Sequence, residues 1–243
     1  MLAGTLKNSC KNCKNTIEGD FCSNCGRAKK LRKIDGSYIL SEIGSILNFD
    51  RGILYTIREL ILRPGKNVQA FIHNDRNRLV KPVVFIIISS LIYSLMQEIF
   101  NFEDGYVNYS FDADSANALI FGWVTKNYGY ANLMMAIFIA VWIKLLYRKQ
   151  PYNLFEILIL LCFIIGTAML IFTVFGILES TFQLNIIDKG FFIGVMYISW
   201  GIGQFFKGYK LLNAVKGFLS YMLGLITFTI ALLAIGFAID WIN

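Results

Sequence analysis

Five long apolar runs in the last two thirds of the chain constrain its fold more than any other feature. They cover about residues 82–100, 128–147, 154–178, 190–206 and 218–241. Each is close to the ~20 residues that an α-helix needs to cross the hydrocarbon core of a bilayer. The whole chain agrees, since 56% of its 243 residues are apolar, 16% are charged and the mean hydropathy is +0.56. We therefore predict an all-α integral membrane protein with about five transmembrane helices.

Positive charge predicts the orientation of these helices. Residues 1–81 hold fifteen Lys/Arg and seven Asp/Glu. With the N-terminus inside, 21 of the 23 Lys/Arg fall in inner segments. Lysine and arginine collect in the cytoplasmic loops of membrane proteins. We predict a multi-pass protein of the cell membrane, inner or plasma membrane, with a cytoplasmic N-terminus and an outside C-terminus.

Composition divides the chain into three parts. Residues 1–33 contain paired cysteines and a basic neck, and residues 82–243 contain the apolar runs. Residues 34–81 carry apolar side chains at helical spacing, interrupted by charges, which predicts amphipathic helices at the cytoplasmic surface. We expect Pro64-Gly65 to end one of them and a further short helix over 66–73. These helices either lie in the membrane interface or pack under the membrane bundle, and both alternatives stay open.

Four of the five cysteines form two Cys-x2-Cys pairs, Cys10 with Cys13 and Cys22 with Cys25. Two such pairs can complete a tetrahedral site for Zn²⁺. Four sulfur ligands leave no open coordination position, so we predict a structural zinc in a small zinc ribbon. Two disulfides are the alternative, and the reducing cytosol disfavours them.

Basic residues near the membrane indicate the partners. The neck that follows the cysteines lacks the interleaved aromatic residues that stack on bases, so nucleic acid is not an expected partner. Anionic lipid headgroups are the expected partner of a basic segment beside a membrane. Possible headgroup contacts come from Arg63, Lys66, Arg76, Arg78 and Lys81. A homo-oligomer is also compatible with the apolar runs.

Catalytic motifs are missing from the sequence. It has no HExxH, no GxSxG, no Walker loop and no kinase signature. Its single histidine, His73, has no evident catalytic partner in sequence. We name no catalytic residue and expect a protein that is not an enzyme.

Residues 63–95, behind the paired cysteines, resemble an uncharacterised bacterial family of zinc-ribbon-headed multi-span membrane proteins. That family is similar in having a T-x3-L-x3-P-G pattern, then an arginine, then a proline that opens the first span. The matching residues here are Thr56, Leu60, Pro64, Gly65, Arg76 or Arg78, and Pro82, and Arg63 is an interfacial candidate within the same segment. The resemblance implies a domain of unknown function. A looser resemblance is to the Yip-type five-span membrane proteins, which also have a cytosolic N-terminus.

Three functions are compatible with these features. The first is a non-enzymatic adaptor or scaffold that docks an unknown cytosolic protein partner through its zinc ribbon. The second is a small-solute or ion transporter or channel, for which Lys144 and Glu156 are the candidate intramembrane charges. The third is a lipid-modifying or lipid-binding protein at the inner interface, using the basic cluster around Arg76 and Arg78. We favour the adaptor, because a closed zinc site and the missing catalytic motifs suit it best.

Overall fold

The computed structural model describes part of the first 51 residues and most of the remainder. The described residues are 10, 13, 15–16, 19–20, 22–24, 52–102, 115–183, 186–206 and 210–242. Cys25 and all of the predicted amphipathic segment before residue 52 lie outside them. The chain divides into two units, Met1–Ile46 and Leu47–Asn243. The second unit contains all of the helices given below.

Eight helices make up most of the described part of the second unit, and the predicted all-α fold is confirmed there. In chain order they are α1 (Ile53–Leu62), α2 (Pro64–His73), α3 (Pro82–Phe100), α4 (Ala116–Lys126), α5 (Tyr128–Leu146), α6 (Leu154–Phe182), α7 (Ile187–Phe205) and α8 (Lys210–Ile242). Pro64 and Pro82 each occupy the first turn of a helix, where the missing N–H costs nothing. The short helix expected over 66–73 is α2, which begins two residues earlier for this reason.

Within the described residues, three helices are long and apolar enough to cross a membrane, namely α3, α6 and the Leu211–Trp241 part of α8. Helices α4 and α5 pass the same test only as a pair, and they are bent by 100° at the break between them. Counting that pair as one broken span gives up to four crossings by length and composition. The predicted class of all-α membrane protein is therefore confirmed, whereas the count of five crossings stays a prediction. Helix α7 matches the fourth apolar run but starts with Asp188 and Lys189, which make it less apolar.

Helix α6 lies at the centre of the bundle. Its side chains are apolar on every side of the helix, a pattern typical of a helix that is surrounded by others. Leu160, Phe163 and Ile164 are fully buried, and α3, α5 and α7 pack around them. Asn153 and Glu156 start this helix with a reciprocal capping box, in which each side chain accepts the other residue's backbone N–H.

Two carboxylates each cap the N-terminus of a different helix from the one that carries them. Glu179 of α6 accepts the backbone N–H groups of Ile186 and Ile187, at 2.7 and 2.6 Å, at the start of α7. Asp240 of α8 accepts the backbone N–H of Ala116, at 2.8 Å, at the start of α4. Negative charge is favourable at a helix N-terminus, because the unsatisfied N–H groups point towards it. These contacts fix where α4 and α7 begin.

The amphipathic pair α1 and α2 packs against the bundle through α6 and α7. Leu60 and Val68 are fully buried in the same core as Phe85 and Phe163. Of the two alternatives that the sequence left open, packing on the bundle is therefore the observed one. The opposite side of α1 leaves Ile61 about half exposed.

Candidate functional site

Three cysteines of the first unit converge. The Sγ atoms of Cys10, Cys13 and Cys22 all lie within 4.8 Å of one another. Cys10 and Cys22 are buried, and the Sγ atoms of Cys13 and Cys22 are 3.5 Å apart. Two sulfurs bound ~2.3 Å from one tetrahedral zinc lie roughly 3.8 Å apart, whereas a disulfide needs ~2.05 Å. The three thiols are therefore close enough to share a metal ion.

A backbone hydrogen bond joins Cys10 to Asn15. The N–H of Cys10 donates to the carbonyl of Asn15 at 2.8 Å. Cys25, the fourth predicted ligand, lies outside the described residues. Cys162, the remaining cysteine, is buried in the apolar core of α6. Thiolate sulfur is a favourable ligand for zinc. The structure brings three such candidate ligands together.

The family pattern found in the sequence falls on a second feature, which we call the elbow: α1, the connecting residue Arg63, and α2. Thr56 and Leu60 are fully buried on α1. The hydroxyl of Thr56 donates to the carbonyl of Gly52 at 3.0 Å and accepts the N–H of Val80 at 3.1 Å. Thr56 therefore joins the elbow to the segment that leads into α3.

An ion pair makes a second connection between the same two segments. Nη2 of Arg78 lies 2.7 Å from Oε2 of Glu59, with 39% and 21% of the two side chains exposed. The hydrogen bond to the Glu59 carboxylate is the main reason why the pKa of Arg78 is raised above its ordinary value. A raised pKa keeps the guanidinium charged to still higher pH, so alkaline conditions do not break the pair. The sequence offered Arg76 or Arg78 for the family arginine, and Arg78 makes this contact while Arg76 is exposed.

The backbone of the elbow at Gly65 lies directly against the backbone at the end of α7. A Cβ atom added to Gly65 would lie 2.3 Å from the backbone nitrogen of Phe205 and 2.8 Å from the carbonyl oxygen of Gly201. Both neighbours are backbone atoms, which cannot rotate away. Pro64 lies beside the same surface, 3.4 Å from the Cβ that Gly201 lacks. The Pro64-Gly65 pair thus lets α2 begin directly on α7.

Carbonyl groups near the ends of α1 and α7 accept hydrogen bonds from side chains of the neighbouring helices. Near the end of α1, the carbonyl of Leu60 accepts from the Tyr197 hydroxyl at 3.0 Å, and that of Glu59 accepts from Asn67 Nδ2 at 2.6 Å. At the end of α7, the carbonyl of Phe205 accepts from Gln69 Nε2 at 2.5 Å. The last carbonyls of a helix have no partner within it and must find one elsewhere. The elbow and α7 therefore complete each other's hydrogen bonding.

The predicted headgroup contacts divide into two groups. Arg63, Lys66, Arg76 and Lys81 are exposed, so their side chains are accessible to solvent or lipid headgroups. Arg78 is engaged by Glu59. Contact with headgroups stays a prediction for the exposed residues.

The two candidate transport charges are engaged locally near the turn between α5 and α6. Lys144 donates to the carbonyl of Tyr152, while Glu156 belongs to the capping box at the start of α6. Neither contact joins the two side chains to each other. Lys144 and Glu156 form no ion pair with each other.

Sequence reasoning did not find the polar partners of the elbow. Glu59, Asn67 and Gln69 lie within the elbow, and Tyr152 and Tyr197 contact it from the bundle. Only Glu59 offered a signal, because it is the acidic residue of α1 and an arginine follows the next helix. The others are polar residues in amphipathic or apolar segments, and their roles depend on contacts far apart along the chain.

These features define a helical membrane protein with a cysteine cluster and a tightly docked helical elbow. Residues 50–94 match the family model described as a protein of unknown function (DUF3667). The matched segment covers the elbow and most of α3, so the chain is similar to that family in this region. The match does not extend to the paired cysteines. No curated protein and no solved structure matches the chain.

Proposed function

We propose that this protein is a non-enzymatic membrane adaptor, whose cysteine cluster holds a structural zinc ion and forms a docking module for a cytosolic protein. One observation carries the proposal, the approach of the Cys10, Cys13 and Cys22 sulfurs to within 4.8 Å of one another. Cys25 is the fourth ligand, because its spacing from Cys22 repeats that of Cys13 from Cys10. Four thiolates close the zinc shell, so the metal supplies folding energy and no open position for chemistry.

The elbow supports this role as a rigid base. Its helix ends are satisfied by Tyr197 and by Asn67, and its backbone lies directly on that of α7. A segment held by so many buried contacts opens locally only at a high free energy. The elbow is therefore held in a fixed relation to the membrane helices that it contacts.

The membrane domain acts as the anchor, and we propose five crossings made by α3, α5, α6, α7 and α8. Helices α3, α5 and α7 have 19 residues each, roughly 28 Å at ~1.5 Å per residue. That length is close to the ~30 Å hydrocarbon core of a bilayer. Five crossings and the excess of Lys/Arg before residue 82 give an inside N-terminus and an outside C-terminus.

Reporter fusions test this topology in cells. A reporter that is active only outside the cytoplasm should be active when fused after Trp241 and inactive when fused within the turn between α5 and α6. A reporter active only in the cytoplasm should show the reverse pattern. A cytoplasmic C-terminus would leave an even number of crossings and remove this part of the proposal.

The adaptor role is tested with the full-length protein in native membranes. Crosslinking followed by purification should recover a defined cytosolic protein in stoichiometric amount with the unmodified chain. The Cys10→Ser/Cys13→Ser variant should lose it, and the matched Cys162→Ala variant should retain it, because Cys162 lies in the core of α6. Equal recovery with all three chains would contradict docking through the cysteine module.

The alternatives have less support. For a transporter, Lys144 and Glu156 were the candidate charges, and both are used in local hydrogen bonds at a helix connection. For a lipid-modifying protein, Arg78 is engaged by Glu59, and the remaining basic side chains of the cluster are exposed. We therefore retain the adaptor.

A further inference from the structure

A cavity of about 140 Å³ lies among helices α4 to α8. Its wall is mostly apolar, and the middle of α6 contributes Ile165, Ala168 and Met169. An apolar protein cavity of ~150 Å³ accommodates benzene. The cavity therefore has room for an apolar group of about six carbon atoms, such as one ring.

Two buried polar side chains face this cavity. Asn132 and Tyr221 line it and are only 8% and 6% exposed. The amide of Asn132 donates from Nδ2 to the sulfur of Met169 at 3.1 Å, and a thioether is a weak acceptor. The Asn132 carbonyl oxygen and the Tyr221 hydroxyl have no hydrogen-bond partner among the described residues. Polar groups inside a membrane protein are costly unless they are paired.

The polarity of the wall restricts the class of ligand. Beside Asn132 and Tyr221, the polar side chains are the hydroxyl-bearing Thr125 and Thr229. The part of the wall that the structure describes thus contains no side chain that carries a charge at neutral pH. An ionic ligand would lose its hydration without a counter-ion. A neutral ligand with one hydroxyl or carbonyl group would keep its hydrogen bonds.

A neighbouring cavity shares part of its wall with this one. A second, almost wholly apolar cavity of about 350 Å³ lies between α4, α5 and α8. Its rim includes Leu119 and Ile235, which are 72% and 53% exposed. Val124, Phe228 and Leu232 line both cavities and form the partition between them. Rotation of these side chains would join the inner cavity to the bilayer.

We propose that the inner cavity binds an uncharged amphiphile that arrives from the bilayer. Its apolar end, about six carbon atoms in size, fills the space beside Ala168 and Met169. Its hydroxyl group donates to the carbonyl oxygen of Asn132 and accepts from the Tyr221 hydroxyl, whereas a carbonyl group in its place would accept from Tyr221 alone. This binding site is independent of the adaptor role, because it involves neither the cysteines nor the elbow.

Photolabelling of the full-length protein in lipid nanodiscs tests this site. The probe is a phenyl diazirine that carries a hydroxymethyl group, and the control probe is the same compound without that group. The hydroxymethyl probe should label the cavity wall saturably, with benzyl alcohol as competitor, and peptide mass spectrometry should locate the label on α5, α6 or α8. Tyr221→Phe should reduce this saturable labelling about five- to tenfold, the effect of one lost hydrogen bond.

Two comparisons decide the outcome. Tyr221→Phe should leave labelling by the control probe unchanged, because the substitution preserves the ring. Ala168→Leu, which fills the cavity, should abolish saturable labelling by both probes at an unchanged unfolding temperature; if that variant does not fold, the Tyr221→Phe comparison decides alone. Labelling that is non-saturable, or that both probes produce equally in the unmodified chain and in Tyr221→Phe, would overturn the proposal.

Discussion

Gly65 lies so close to Phe205 that a Cβ atom on the glycine would be 2.3 Å from the phenylalanine's backbone nitrogen. The first turn of α2 therefore rests on the last turn of α7 with no side chain between the two backbones. The same approach lets Gln69 reach the carbonyl of Phe205 and Gln204 reach the N–H of Lys66. A contact at backbone distance thus joins the family-matched segment to the bundle.

Gly65→Ala should destabilise the protein. The added methyl group meets backbone atoms of α7, so the elbow must shift away and its hydrogen bonds to α7 weaken. Overpacking of this kind costs about 1–3 kcal/mol. Thermal unfolding of the purified protein in detergent measures the loss as a lower midpoint.

Gly122→Ala is the matched control for that experiment. A Cβ at Gly122 meets nothing within 4 Å, and the residue lies within α4. Alanine is favoured over glycine in a helix by about 1 kcal/mol, so this variant should unfold at the same or a higher temperature. If Gly65→Ala also unfolded at the same or a higher temperature than the unmodified protein, that result would contradict the close contact between α2 and α7.

Arg78→Ala should cost stability, and Arg76→Ala should not. Arg78 contacts the largely buried carboxylate of Glu59, whereas Arg76 is exposed. A partly exposed ion pair contributes about 1 kcal/mol. A double-mutant cycle with Glu59→Gln isolates the pair, and its coupling energy should decrease at high salt. A coupling energy near zero would show that the ion pair between Glu59 and Arg78 does not stabilise the protein.

Thr56→Val should destabilise the protein although it preserves the shape of the side chain. It leaves the N–H of the half-buried Val80 without its acceptor, which should cost about 1 kcal/mol, the low end of the range for a donor that loses its partner. Thr173→Val is the control, since that hydroxyl is equally buried and donates only to a carbonyl of its own helix. In chemical denaturation, the free energy of unfolding of Thr56→Val should be lower than that of Thr173→Val by at least the contribution of one hydrogen bond. Equal stability would argue against Thr56 as the connection between α1 and the start of α3.

Removal of the metal should affect the first unit. We expect one zinc per chain by elemental analysis of the purified full-length protein. Cys10→Ser, which removes a buried sulfur of the cluster, should lose the metal, and Cys162→Ala should keep it. A chelator should make the segment before residue 47 more sensitive to protease. A metal-free chain with unchanged protease sensitivity would remove the zinc from the proposal.

The helices of the membrane domain were predictable where local composition alone decides them. The apolar run 82–100 coincides with α3, because a proline starts it and the apolar residues continue without a break. The start of α8 was missed by eight residues, since it begins at Lys210 instead of 218. Asn213 lies in the missed segment, where it donates to the carbonyl of Phe206 and accepts from the Tyr147 hydroxyl. Such contacts extend a helix beyond its apolar part, and no local pattern predicts them.

The sequence by itself determined the class of the protein, the cysteine pairs and the positions of the family pattern. Hydropathy and residue spacing are properties of the local sequence. They can be evaluated without knowing which residues each helix contacts in the folded protein. The tertiary structure decided that the amphipathic helices pack on the bundle, that Arg78 and not Arg76 pairs with Glu59, and that Asn132 and Tyr221 share a cavity. Each of these depends on the approach of helices that are distant in sequence, because the ends of one helix and the buried polar groups of another must find partners in space.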